Sequence, residues 1–360
     1  MNTPATDFDP SLSRVEWLLD ASRQVSDGPL HSVLSNPSPS MAQPLITVVL
    51  CTRNRSDLLR GALETLVALE TESRFDYEIL VVDNGSTDET PQVVRGFARA
   101  QANCRSGQVR GVVEDQPGIV PARNRGVREA RGEWIAFFDD DQFAHRRWLL
   151  ELFLAAREQH TRCVGGAVTL RLPEGTTRQL APASRMLLGE TVGRNVPQQY
   201  NARFTPGCGN LLIHRSIFDQ VGLFDARMSD RGEDTDLALR IMATGERAWF
   251  TPTAIVEHRI PADRLSDEFL LKLSRRMARG MAGIEHEAWG RFRYPFIWCA
   301  RVGQAALVLT PRWVLARLRG DRERSLGARC RLQIAIDSMK DGARLLIQDL
   351  RNILVRQKTA

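Results

Sequence analysis

The run Trp134-Ile135-Ala136-Phe137-Phe138 ends abruptly on Asp139-Asp140-Asp141, and this junction constrains the fold more than any other stretch. Five aromatic and branched residues after the turn-like Arg131-Gly132-Glu133 predict a strand buried on both faces. Such a strand belongs in the middle of a sheet covered by helices. Three carboxylates at its end repel one another and raise each other's pKa unless a cation sits among them. Hard oxygen donors gathered there suit Mg²⁺ or Mn²⁺ and the phosphates that such an ion binds. A solvated acidic turn explains an isolated triplet equally well, so the surrounding segments decide.

Those segments alternate. Leu45 to Leu50 is predicted as a strand and Ser56 to Leu69 as a helix, with Leu59, Leu63 and Leu66 on one face. Glu78 to Val82 is a second strand, followed by Asp83-Asn84-Gly85-Ser86-Thr87-Asp88 and a helix entered through Glu89-Thr90-Pro91. Val109 to Val113 is a third strand and Ile119 to Ala130 a third helix. Alternation at this spacing predicts right-handed crossovers and an α/β fold with a mainly parallel sheet. Ligands bind such sheets outside the carboxyl ends of the strands, where Thr52-Arg53-Asn54-Arg55, Asp83-Asn84-Gly85-Ser86 and the three aspartates fall. No Gly-x-Gly-x-x-Gly follows the first strand and no phosphate loop ends in Gly-Lys-Ser/Thr, which argues against a dinucleotide or P-loop site.

Beyond the acids, Arg146 to Gln159 reads as a helix and Cys163 to Leu170 as a strand. Pro173 to Pro206 is irregular and long for a compact domain, hence a candidate substrate loop. Gly207-Cys208-Gly209-Asn210 leads into Leu211-Leu212-Ile213-His214, with glycines that let backbone approach a ligand or simply turn. Gly232-Glu233-Asp234-Thr235-Asp236 opens a helix that closes at Thr244-Gly245; acids in a first turn are often caps that also meet the helix dipole.

Charge divides the chain. From residue 259 on, 21 Lys and Arg stand against 10 Asp and Glu, an excess of +11 in a chain of net charge +6, so the preceding part carries −5. An Arg-rich helical tail can meet an anionic membrane, nucleic acid or only water; no RNA- or DNA-binding motif accompanies it. Phe296 to Val314 is its most apolar window, yet Arg301 and Arg312 lie inside it, and an arginine near a helix centre costs about 2.5–3.5 kcal/mol on insertion scales. A spanning helix is therefore disfavoured. Phe292, Phe296, Trp298 and Trp313 among arginines suit a helix lying on anionic lipid, and packing on the core or a dimer interface is the plainer alternative. The six cysteines form no Cys-x-x-Cys pair, so reduced thiols are expected. Asp7 and Asp9 stand near a start with no apolar core of signal-peptide length, so a cytoplasmic location is expected, and the basic tail adds an expected peripheral contact at the inner face of the membrane. The Pro- and Ser-rich residues 36–40 read as a linker after an extension, 1–43, with a short helix between Ser13 and Gln24.

Together, Thr47 to Arg55, Val81 to Asp88, Pro121 to Gly126, Asp139-Asp140-Asp141, Gly207 to Arg215, Gly232 to Asp236 and Val256-Glu257-His258 resemble the family 2 glycosyltransferases of the GT-A fold, in the family's order and spacing. The resemblance implies a catalytic domain over 44–260 and leaves 261–360 as a basic, mainly helical addition. It implies that Thr52, Arg53 and Asp83 face the base and ribose of a sugar nucleotide, UDP first among the candidates. It extends substrate contact to Asn54, Asn124, Asp139, Asp140, Gly209, Asn210 and Glu233. Asp141 is implied as the metal ligand with Asp139 and His258, the cofactor being Mg²⁺ or Mn²⁺, and Asp234 as the general base.

The chemistry agrees with this. Displacing a nucleoside diphosphate needs a cation on the pyrophosphate and a carboxylate that takes the acceptor's proton on the opposite face of the sugar. One base and one metal give a single displacement with inversion; a second carboxylate for a double displacement is not nominated. Processive relatives carry Gln-x-x-Arg-Trp after the base, and none follows Asp234, so transfer of one sugar is expected. The acceptor expected by analogy is a saccharide or lipid-linked saccharide of envelope or exopolysaccharide synthesis. A sugar-phosphate nucleotidyltransferase would open with a Gly-rich basic loop instead of Thr52-Arg53-Asn54, and a non-catalytic binding subunit would have lost the acids.

Overall fold

The structure is a computed structural model that describes residues 45–202, 204–228, 232–278 and 281–359. The extension, its linker and its short helix lie outside the described residues. The described chain divides into two compact units, residues 45–174 with Gly189–Ile260, and Gly175–Leu188 with residues 261–359.

The first unit is built on a mixed sheet. In chain order it contains β1 (Leu45–Thr52), α1 (Ser56–Leu66), β2 (Asp76–Asp83), α2 (Thr90–Ala100), β3 (Gln108–Val113), α3 (Ile119–Glu129), β4 (Trp134–Asp139), β5 (Gln142–Ala144), α4 (Trp148–Glu158) and β6 (Cys163–Arg171). After the excursion 175–188, which holds α5 (Pro182–Leu187), come β7 (Gln198–Gln199), β8 (Asn210–His214), α6 (Ser216–Val221), α7 (Glu233–Ala243) and β9 (Ala248–Arg259). The sheet order is β3-β2-β1-β4-β8-β6-β9-β5, with β7 beside β9. β3, β2, β1 and β4 run parallel, whereas β8 is antiparallel to both of its neighbours.

The alternation of strand side chains sets the two layers. Ile46, Val48 and Leu50 of β1 join Ile79 and Val81 of β2 and Trp134, Ala136 and Phe138 of β4 in a core covered by α1, α2 and α4. Val49, Leu80, Val82, Ile135 and Phe137 point the other way, into a core covered by α3, α6 and α7. A period of two with both faces apolar marks a central strand, and β4 is buried throughout its apolar residues. From β1 the chain steps outward to β2 and β3 and then returns to place β4 on the other side of β1. This reversal makes a switch point between β1 and β4, the place where an open α/β sheet parts its loops to form a crevice.

Two elements differ from the sequence reading. Gln142–Ala144 forms a short strand antiparallel to β9, too brief for periodicity to reveal. The stretch Pro173 to Pro206 is not one irregular loop. It holds α5 and β7, and residues 175–188 pack in the second unit. There Arg178 pairs with Glu323 and Asp267, each at 2.8 Å, and a Cβ added to Gly327 would meet Ala183 at 3.1 Å.

The second unit also contains α8 (Asp267–Ala278), α9 (Met281–Gln304), a π-helical turn (Ala305–Leu309), α10 (Thr310–Leu318) and the 38-residue α11 (Arg322–Thr359). α9 is broken at Gly290, whose φ of 65° leaves the helical region, and carries Pro295 one turn further on. Tyr294 is buried against α11, where a Cβ at Gly342 would lie 2.4 Å from its hydroxyl. Trp298 donates its indole N–H to the Met339 carbonyl at 2.9 Å, so it is a packing residue, while Phe292 and Phe296 are 72% and 75% exposed. Among the described residues no helix is long and apolar enough to cross a membrane.

Candidate active site

Sheet register brings the polar ends together. Thr52 lies opposite Asp83 across β1 and β2, and Cys51 lies opposite Asp139 across β1 and β4. Phe138 pairs with Asn210 at the start of β8, and Gln142 pairs with His258. Residues as far apart as Cys51 and His258 thus come to one sheet edge, through the ends of the parallel strands and the antiparallel pairings of β8 and β9.

The β1–β2 side of this edge is a hydrogen-bonded wall. Asn54 has a φ of 52°, a left-handed conformation that Asn tolerates better than most residues. Its side-chain oxygen accepts the Thr87 N–H at 2.7 Å, and its own N–H donates to Ser86 Oγ at 2.9 Å. Asp83 turns its carboxylate back to accept the Ser86 N–H at 2.9 Å, and Gly85 takes a φ of 71° to close that turn. Arg53 is exposed beside this wall.

The three aspartates have distinct surroundings. Asp140 is buried and accepts hydrogen bonds from Thr52 Oγ1 at 2.7 Å and Arg55 at 2.8 Å. Burial raises its pKa, and the Arg55 charge and the Thr52 hydroxyl hold it back. Asp141 lies 3.5 Å from both Arg55 and His258 Nε2, and its carbonyl accepts the Arg259 N–H at 2.8 Å, which fixes it against the end of β9. Asp139 sits deep in the cleft with its side chain 41% open. Crowding by the surrounding protein raises its carboxyl to about 6; Arg123 opposes that shift, and Asp141 and Asp140 reinforce it.

Arg123, on α3, was not singled out in the sequence. It is 8% exposed and reaches Glu233 at 2.5 Å and Asp139 at 3.6 Å. It therefore joins the acids of β4 to the first turn of α7. Burial works against its charge, and the carboxylates of Asp139 and Glu233 beside it outweigh that cost. The signal for it was an arginine inside the matched Pro121 to Gly126 segment on a helix face otherwise filled with Val120, Ala122 and Val127. Around the buried Cys208 the two halves of the site meet: burial pushes its thiol well up, Arg123 opposes, and Asp234, Glu233 and Asp139 add to the rise.

The three acids of α7 separate by partner. Glu233 is held by Arg123, and Asp236 binds Arg240 of the next turn at 2.8 Å. Asp234 has no cationic partner among the described residues; one oxygen accepts the Thr235 N–H at 2.7 Å. Its other oxygen would stand 3.7 Å from a Cβ at Gly207. Gly209 leaves no room for a side chain, since a Cβ there would clash with the Asp139 carboxylate and the Gln142 amide. Asn124 and Asn210 hold the walls. Asn124 exchanges two hydrogen bonds with the Phe224 backbone, at 3.0 and 2.9 Å. Asn210 donates to the Ala167 and Ala254 carbonyls, both at 2.9 Å, and accepts from the Trp148 indole at 2.8 Å.

Among the described residues no three His, Cys, Asp or Glu side chains converge as a ready-made cation site. The pair Asp141 and His258, with Asp139 raised toward protonation by the loss of water around it and by its neighbouring acids, nevertheless fits a divalent ion shared with a ligand's phosphates. Such ions are commonly held by one or two carboxylates plus phosphate oxygens.

A sheet covered on both faces, with three acids and a tight Asx turn at the carboxyl ends of its parallel strands, has the architecture of the GT-A fold. Residues 47–222 match the family described as glycosyl transferase family 2, so this domain is of that family. It is 28% identical to the glycosyltransferase AglE of Haloferax volcanii over 194 residues, 53% of this chain and 59% of that protein. It is 27% identical to the O-antigen biosynthesis protein RfbC of Myxococcus xanthus over 246 residues, 64% of this chain and 18% of that one. The chain thus spans less than two thirds of either relative. Among solved structures, the mannosyltransferase PcManGT of Pyrobaculum calidifontis in complex with GDP-Man and Mn²⁺ shares its fold, with a TM-score of 0.55 at 19% identity over 91% of this chain and 95% of that one.

Proposed function

We propose that the chain is a metal-dependent, inverting glycosyltransferase that moves one sugar from a nucleoside-diphosphate sugar to an acceptor hydroxyl. The observation that carries this reading is the segregation of carboxylates. The acids of β4 lie at the switch point, and of the acids of α7 Asp234 alone has no cationic partner among the described residues. In this reading residues 44–260 are the catalytic domain and 261–360 a basic helical region.

Thr52, Arg53, Asn54 and Asp83 line the nucleotide side, and the bare backbone at Gly209 lets the donor approach Asp139. Asp141, with Asp139 and His258, would hold Mg²⁺ or Mn²⁺, which supplies charge stabilisation to the departing diphosphate. Asp140 anchors Thr52 and Arg55 beneath the site. Asn124, Asn210 and Glu233 act at one remove, by holding the walls and Arg123. Asp234 takes the proton of the acceptor hydroxyl as it attacks the anomeric carbon, and with no second carboxylate placed as nucleophile the displacement is single.

UDP is the first nucleotide to test, with GDP beside it because the PcManGT structure holds GDP-Man. The relative named for O-antigen biosynthesis supports an acceptor that is a saccharide or lipid-linked saccharide of the cell envelope. The exposed Phe292 and Phe296 beside the +11 tail support peripheral contact with anionic membrane at its cytoplasmic face.

Metal removal tests the reading. Chelation is expected to lower donor turnover by roughly tenfold or more, and added Mn²⁺ or Mg²⁺ to restore it. Asp141→Asn should resist that restoration. Full turnover in excess chelator would leave the metal with no role.

A further inference from the structure

The second unit contains a groove of about 540 Å³ between α10, α11 and the chain just before and within α5. Its walls combine two chemistries. Leu309, Leu315, Ala316 and Ala183 supply apolar surface, while Arg312, Arg319, Arg324 and Arg331 stand against Asp321 as its single acid, a local excess of +3. Arg324 is paired with Asp321 at 3.2 Å. Arg312, Arg319 and Arg331 have no carboxylate partner among the described residues. Three unneutralised guanidinium groups around one apolar trough are costly to maintain by mutual repulsion, unless an anion is there to meet them.

The surroundings say which anion. Leu307 and Leu318 are 80% and 79% exposed, and Leu315, on the groove wall, is 47% exposed. Apolar side chains open to the outside in the same π turn and α10 that carry Arg312 and Arg319 match a ligand whose charged head adjoins a hydrocarbon chain. A nucleotide or a polysaccharide would not use the leucines, and a nonpolar lipid would not use the arginines.

We infer that this groove binds the phosphate headgroup and first acyl carbons of an anionic phospholipid, so that the helical unit docks on a bilayer by a specific lipid site and not by diffuse charge alone. The inference rests on the peripheral-membrane reading above. Arginine forks match phosphate oxygens in pairs, the alanines leave room for a chain, and the exposed leucines enter the acyl boundary beside it.

Calorimetric titration with dihexanoyl-phosphatidylglycerol below its micelle concentration tests the groove without a bilayer, and sedimentation with phosphatidylglycerol vesicles tests the membrane reading. Three variants of the full chain separate the causes. Ala316→Trp fills the groove at unchanged charge; Arg319→Gln with Arg331→Gln removes groove charge; Arg317→Gln with Arg329→Gln removes the same charge from the same two helices outside the lining. The groove predicts saturable 1:1 binding of the soluble lipid, with dihexanoyl-phosphatidylcholine and inorganic phosphate much weaker. It predicts a loss of roughly fivefold per groove arginine, about thirtyfold for the pair, a comparable loss in Ala316→Trp, and little change in the outside pair. Equal losses in the two arginine pairs, or vesicle binding by wild type without saturable soluble-lipid binding, overturn the groove and leave the membrane reading standing. Soluble-lipid binding with no vesicle binding overturns the membrane reading and the docking role together.

Discussion

Asp234→Asn is expected to lower turnover by roughly 10²–10⁴-fold, the range for a positioned general base, while sugar-nucleotide binding stays close to wild type. The reason is the division of labour in the first turn of α7. Glu233 is committed to Arg123 and Asp236 to Arg240, whereas Asp234 faces the Gly207 backbone and meets no cation among the described residues. If Asp234 were only a helix-start residue, the swap should cost little, because Asn serves near a helix N-terminus about as well as Asp. Donor affinity by equilibrium titration and single-turnover rate on the same protein decide between the two. A folded, donor-binding Asp234→Asn enzyme with normal turnover would move the base elsewhere.

Arg123→Met is expected to destabilise the fold by about 3–5 kcal/mol, the usual consequence of stripping one partner from a buried ion pair. Arg123 has a side chain only 10% exposed, Glu233 one only 11% exposed, and the two meet at 2.5 Å. Removing the guanidinium leaves Glu233 with no counter-charge and lets Asp139, already raised to about 6, rise further. Neutralising both ends, in Arg123→Met with Glu233→Gln, should recover part of the loss, since the cost lies in the orphaned charge. Urea unfolding followed by tryptophan fluorescence measures both proteins. An unchanged midpoint in Arg123→Met would mean that the pair does not brace the site.

The sheet was legible because burial on both faces leaves a plain mark. Leu45 to Leu50, Glu78 to Val82 and Trp134 to Phe138 are nearly continuous apolar runs, and each ends in polar residues at one level of the sheet. Gly232 to Asp236 was legible as a helix start, but three acids in one turn look alike in a sequence. Their difference comes from partners: Arg123 is 110 residues from Glu233, and nothing local announces that meeting. Arg178 shows the same limit, since its partner Glu323 lies 145 residues on; Pro173 to Pro206 therefore read as loose chain although part of it packs with the C-terminal helices. Trp298 was read as an interfacial aromatic because its neighbours are arginines, and its bond to the Met339 carbonyl depends on how α9 folds back on α11. Local pattern thus reports which face is covered, while charge pairing across the chain reports what each polar residue is for.

On the proposed function, the cleft between β1 and β4 transfers a sugar and releases a nucleoside diphosphate. Phosphorus NMR of reactions with UDP, GDP and dTDP sugars, in the presence of Mn²⁺ and a saccharide acceptor, reads the leaving group directly. The account predicts that one donor yields free nucleoside diphosphate. Release of inorganic pyrophosphate from a nucleoside triphosphate and a sugar phosphate, with no nucleoside diphosphate from any donor, would contradict it and mark the chain as a nucleotidyltransferase.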